Sequence, residues 1–236
     1  MGETGGSGQE WARVAERISD AFGLVLLLLV ATYVVASLTS FDGWSAVAVL
    51  ALGCAAGSFG LASAGAGTVV VRWAIALAVG SVTLAVVAEL SGERAFLATA
   101  ALLQTFLLVA ATAAILRAVI GALEVGFRTI LGAISVYMIF GLLFTSLYVA
   151  IDRLQAGQFF SAGRPHTGDF ILFSFTTLTT TGYGNLVPQD QPGKMFAGLE
   201  MLLGQIFLVT LIAGLVSLWR PHRRSDADGL GGDAKP

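Results

Sequence analysis

The stretch Phe173–Pro188, FSFTTLTTTGYGNLVP, is polar, holds two glycines and a proline, and lies between two long apolar segments. Just before and into it runs DFILFSFTTLT, Asp169–Thr179, an apolar run too short to cross a bilayer, which takes about 20 residues of helix. A run of that length can enter the membrane partway and return. Non-helical backbone at membrane depth survives only where protein buries it or water reaches it. The following TTGYGN, Thr180–Asn185, is therefore expected to line a water-filled path or to be packed inside protein. Glycine tolerates backbone dihedrals that other residues avoid. Glycines at alternate positions, Gly182 and Gly184, let successive carbonyls turn toward one axis. There they can replace the hydration shell of a monovalent cation. Carbonyl and hydroxyl oxygens suit a hard cation rather than a soft metal.

The rest of the chain sets this stretch in a membrane. Of 236 residues, 56% are hydrophobic and only 12% charged, against about a quarter charged in a soluble domain. Mean hydropathy is +0.83, and the apolar residues come in runs. A net charge of −2 suggests neither a nucleic-acid partner nor an acidic ligand. The single cysteine, Cys54, sits in an apolar run, has no intrachain partner for a disulfide and is a poor metal site alone. We expect it to be a small core residue.

Six spans are expected, at about 21–38, 44–61, 68–90, 95–116, 129–151 and 194–219. The first could imitate a signal-peptide core but is longer than that and follows a charged, amphipathic segment, so it reads as a retained span. The expected organisation is a cytoplasmic N-terminal segment (1–20) that opens on the flexible, Gly-rich MGETGGSGQE, four peripheral spans (21–117), a cytoplasmic linker (118–128), a pore domain (129–221) and a short cytoplasmic tail (222–236). A polar segment, 152–168, precedes the short apolar run. With the N-terminus inside, nine Lys and Arg residues fall on the cytoplasmic side and four (Arg94, Arg153, Arg164, Lys194) outside. That asymmetry puts both termini in the cytoplasm of a plasma (inner) membrane protein. Only one copy of the TTGYG stretch is present.

At these residues the sequence resembles the potassium channels. Thr180, Thr181, Gly182, Tyr183 and Gly184 match the family's selectivity filter residue by residue, Asp169–Thr179 matches its pore helix, and a span lies on each side. The resemblance covers about 129–219. It implies an all-α membrane protein with six transmembrane helices plus a re-entrant pore helix and filter loop, assembled as a homotetramer because each chain supplies one filter strand. It implies passive conduction of potassium as the permeant ion, with no organic cofactor and no enzymatic role. Asn185 stands where many members carry Asp, so the acidic ring at the outer mouth is missing. Asp190 is a candidate for part of that charge.

Several residues around the filter are candidates for its support. Thr167 or Asp169 can cap the pore helix, whose C-terminal end would present partial negative charge to a cation. Phe170, Phe173 and Phe175 read as packing around the filter. Glu200, an acid inside the sixth span, is by default a functional residue. It is expected to be a neutral, hydrogen-bonded brace of the pore helix, with Ser174, Thr176 or Thr177 as partner. Gly204 lies where the family keeps a hinge in its inner helix, and either close packing or a gating bend would explain it. Gly214 is a second such glycine. The face through Gly204, Leu208, Ile212 and Val216 is expected to line the cavity, with an apolar constriction at Ile212 or Val216.

The fourth span carries Gln104 in its interior and Arg117 only at its inner end, so strong voltage sensing is not expected. The first four spans read as a packing jacket, or alternatively as a lipid or ligand site. His166 could sense external pH. Arg220, Arg223 and Arg224 are expected to anchor the chain at the membrane, in contact with anionic lipid. Competing readings are a weakly selective monovalent cation channel, a transporter, and a non-conducting accessory membrane protein.

Overall fold

In a computed structural model, residues 5–38, 43–121, 127–163 and 165–218 are described. They form seven helices: α1 (Gly5–Leu38), α2 (Trp44–Ser63), α3 (Thr68–Ser91), α4 (Arg94–Ile120), α5 (Phe127–Leu154), α6 (Thr167–Leu178) and α7 (Gln191–Leu218). No strand occurs among the described residues, only two isolated bridges at Phe160. All helices except α6 are long and apolar enough to cross a membrane. This is an all-α, multi-pass membrane fold with six spans and one short apolar helix between the last two.

Element boundaries differ from the expected ones at the N-terminus, in the linker and ahead of α6. The N-terminal segment continues α1 back to Gly5, giving 34 helical residues. Trp11, Val14 and Ile18 repeat at helical spacing, with Glu10, Arg13, Glu16 and Arg17 between them, a pattern that favours an amphipathic helix over the flexible segment expected from the glycines. The expected linker 118–128 is shorter, because α4 runs to Ile120 and α5 starts at Phe127. The polar segment 152–168 is not uniformly polar in its packing. Its first turn belongs to α5, and Phe159 and Phe160 are fully buried.

The architecture follows from which helices hide their surface. In α5, 61% of the spanning residues are buried, against 17% in α3 and in α7. α5 is therefore the central post. It packs on α1 and α4 on one side and on α6 and α7 on the other. α3 packs mainly on α2 and α4. Small residues let the helices close up: the position a Cβ would occupy at Gly57 and Gly60 lies 3.1 Å from side chains of Leu108 and Ile115. Cys54 is buried in this four-helix part. Gln104 is buried too, with Nε2 donating a long 3.5 Å contact to the Leu50 carbonyl, and Arg117 lies in the last turn of α4. A cavity of about 50 Å³, lined in part by Thr32, Gln104, Thr145 and Ile171, lies where α1, α2 and α4 meet α5 and α6. The two halves also touch through Tyr33 of α1, whose ring meets Phe175 of α6 edge-on at 4.8 Å.

Candidate functional site: the short helix, its loop and the last span

α6 begins after His166, whose backbone N–H donates to Asp169 Oδ2 at 2.8 Å. Of the two expected capping residues, Asp169 thus acts on the helix start from its third position, and Thr167 is the first helical residue. Capping of this kind satisfies an amide that the helix cannot. An aromatic cluster holds the outer half of the helix. Phe170 and Phe173 pack with Phe159, Phe160 and Tyr148, with ring centroids 5.1 to 6.1 Å apart. The loop ahead of α6 then ties down the loop behind it: the Ser161 amide donates to the Val187 carbonyl (3.0 Å) and the Gln189 amide to the Phe159 carbonyl (2.8 Å).

The four carbonyls at the end of α6 have no partner within the helix and must find others. Each does. Phe175 O accepts the Thr179 amide (3.1 Å), Thr177 O the Thr180 amide (3.0 Å), and Thr176 O both the Thr181 (2.8 Å) and Gly182 (3.1 Å) amides. Leu178 O accepts the Tyr137 hydroxyl at 3.2 Å. The start of TTGYG is thus folded back on the helix by its N–H groups. Among the described residues nothing donates to the carbonyls of Thr180, Thr181, Gly182 or Tyr183.

Backbone handedness completes the pattern. φ is positive at Thr180 (56°), Gly182 (48°) and Gly184 (80°), and at neither Thr181 nor Tyr183. Alternating left- and right-handed residues turn successive carbonyls to the same side of the strand. The stretch therefore offers a row of uncommitted oxygens on one side, while three of its amides are consumed on the other. Tyr183 is 70% exposed in the single chain. Asn185 and Asp190 are exposed as well.

Behind the stretch, Glu200 of α7 is wholly buried. Its Oε2 accepts the Tyr148 hydroxyl at 2.6 Å, and its Oε1 lies 2.5 Å from Ser174 Oγ. Ser174 Oγ is also 2.8 Å from the Gly141 carbonyl. One serine proton faces two acceptors, so all three contacts are hydrogen bonds when Glu200 carries a proton on Oε1 and gives it to Ser174. Ser174 is the expected partner. Thr176 and Thr177 are not: the Thr176 hydroxyl returns to Leu172 O and Phe173 O, and both threonines hold the strand through their carbonyls. Tyr148 is the partner the sequence reading missed. Glu200 needed one more buried donor than α6 could supply, but nothing in the order of residues on α5 says which hydroxyl faces α7.

Gly204 sits against the end of α6. A Cβ there would lie 2.5 Å from Leu178 O and 2.9 Å from its Cδ1, so close packing is the reason the structure supplies for this glycine. Gly204 is therefore buried, set apart from the exposed positions further along the expected face. A step of four residues on a helix of 3.6 per turn drifts by about 40°, so a stripe starting at buried Gly204 rotates outward. Leu208 is 37% and Ile212 53% exposed, and Gly214 is exposed. The side chain of Val216 lies outside the described residues, as do Arg220, Arg223 and Arg224. The residue that turns toward the strand at this height is Gln205, whose Nε2 donates to Thr180 Oγ1 at 3.1 Å. An uncharged polar residue next to Gly204 in an apolar span was the available signal for it.

Residues 132–220 match the family model described as an ion channel. The match spans nearly all of α5, the short helix, its loop and α7, and does not reach α1–α4. It supports passive ion conduction by this part of the chain. No curated protein and no solved structure matches the chain.

Proposed function

We propose that the protein is a potassium-selective channel in which four copies of the chain surround one axis, each giving one Thr180–Gly184 strand to a shared filter. The observation that carries this reading is the asymmetry of that strand: amides bonded to α6, carbonyls uncommitted, and φ alternating in sign from Thr180 to Gly184. Oxygens arranged this way replace the water around a dehydrated monovalent ion, and their number and placement favour one ion size over another. The C-terminal end of α6 adds partial negative charge at the inner end of the row. One strand cannot surround an ion, which calls for closed rotational symmetry. α7 also presents exposed Met195, Leu202, Ile206 and Val209, an apolar surface that a neighbouring subunit or lipid would cover.

In this reading Leu208 and Ile212 face the inner cavity, both termini are cytoplasmic, and Arg220, Arg223 and Arg224 meet the anionic inner leaflet. The test is ion flux from purified protein in liposomes. Potassium flux is expected to exceed sodium flux strongly, and Gly184→Ala is expected to abolish the preference, because φ of 80° suits glycine alone. Equal potassium and sodium flux would leave a weakly selective cation channel. No flux at all would leave an accessory membrane protein.

A further inference from the structure

We propose that Gln205 is a positioning residue for the filter's innermost side-chain oxygen, holding the Thr180 hydroxyl so that a single lone pair faces the ion path. The inference rests on the filter reading above. Thr180 is the only non-glycine among the described residues with positive φ. For a β-branched side chain that conformation is a clear outlier, and its surroundings must hold it there. Its amide is held by Thr177 O at 3.0 Å. Its hydroxyl has one proton and two lone pairs. The proton goes to Thr179 O at 2.7 Å, and Gln205 Nε2 fills one lone pair at 3.1 Å. One lone pair is left for a cation.

Two further observations make the contact more than incidental. Gln205 is a polar side chain among exposed apolar neighbours, Met201, Leu202, Ile206, Leu208 and Val209. An amide at membrane depth is costly unless it finds a partner, and Thr180 is that partner. The backbone beneath it cannot drift freely either, since Gly204 lies against Leu178 O. α7 therefore sets the height and direction of Gln205 relative to Thr180. Without the Nε2–H donor the hydroxyl is free to take another rotamer, and the innermost oxygen no longer sits at a fixed distance from the axis.

The test uses the full-length protein in liposomes, with potassium and sodium flux as one readout and the potassium dependence of the thermal midpoint in detergent as the other. Gln205→Leu keeps the volume and removes the donor. It is expected to lower the potassium-to-sodium flux ratio by about five-fold, the scale of one lost hydrogen bond. It should also raise the potassium concentration needed for half-maximal stabilisation, with the midpoint in potassium-free buffer unchanged. In a Thr180→Val background, which lacks the hydroxyl, Gln205→Leu should change the ratio less than about two-fold, because contacting residues are not additive. Should Gln205→Leu fail to assemble, Gln205→Met carries the same expectations. A wild-type ratio in Gln205→Leu, or full multiplication of the two effects in the double variant, overturns the proposal. Wild-type protein without potassium preference overturns the filter reading itself, and Gln205 with it.

Discussion

Replacing Glu200 by alanine is expected to cost about 3–5 kcal/mol per chain and to abolish stable assembly, whereas Glu200→Gln is expected to stay within about 1 kcal/mol of wild type. Alanine leaves a cavity between α5, α6 and α7 and strands the buried Tyr148 hydroxyl, which lies 2.6 Å from Oε2 in the intact protein. Glutamine keeps both contacts. Its amide N–H takes the place of the Oε1 proton toward Ser174, and its carbonyl accepts from Tyr148. In the variant Ser174 Oγ keeps both neighbours, donating to Gly141 O and accepting from the amide of residue 200. Thermal unfolding and oligomeric state in detergent read both variants. Glu200→Gln as damaged as Glu200→Ala would show that the site needs a carboxylate charge, and a harmless Glu200→Ala would show that it braces nothing.

Gly204→Ala carries the second large effect. The added methyl would sit 2.5 Å from Leu178 O and 3.3 Å from its carbonyl carbon. These atoms belong to the backbone at the end of α6, so they cannot swing away as a side-chain tip would. Overpacking of this sort costs about 1–3 kcal/mol. Here the strain falls on the turn that presents Thr180. We expect the thermal midpoint to drop by several degrees and ion selectivity to fall with it, while Gly214→Ala, whose added Cβ meets nothing within 4 Å, leaves both nearly unchanged. If Gly204 served only as a bend, its alanine variant would change open time without lowering the midpoint.

Much of this site was readable in the residue order. TTGYG between two spans pointed to a short helix and a turn rather than a further span, because an apolar run as short as Asp169–Thr179 cannot cross and exposed backbone cannot face lipid. An acid inside the last span marked Glu200 because an unpaired charge there is expensive. A glycine in a helix interior marked Gly204 because it needs a reason. The signals failed where one residue type serves two uses. Glycines at the N-terminus hid how far back α1 reaches, and the polar segment ahead of α6 hid two phenylalanines that close the aromatic cluster over that helix.

The sequence by itself determined the six spans, the short helix between the last two, and the glycine-bearing stretch whose carbonyls receive no donor among the described residues. These depend on local quantities: run length, glycine position, and the cost of burying a charge. Which groups meet across helices was decided only by the tertiary structure. Tyr148 rather than Thr176 or Thr177 reaches Glu200, Gly204 rather than an open bend meets Leu178, and Gln205 reaches Thr180. Those contacts depend on the rotation of α7 about its axis. Its mostly apolar sequence leaves that rotation open until the close approach at Gly204 and the need to satisfy Glu200 and Gln205 select one setting.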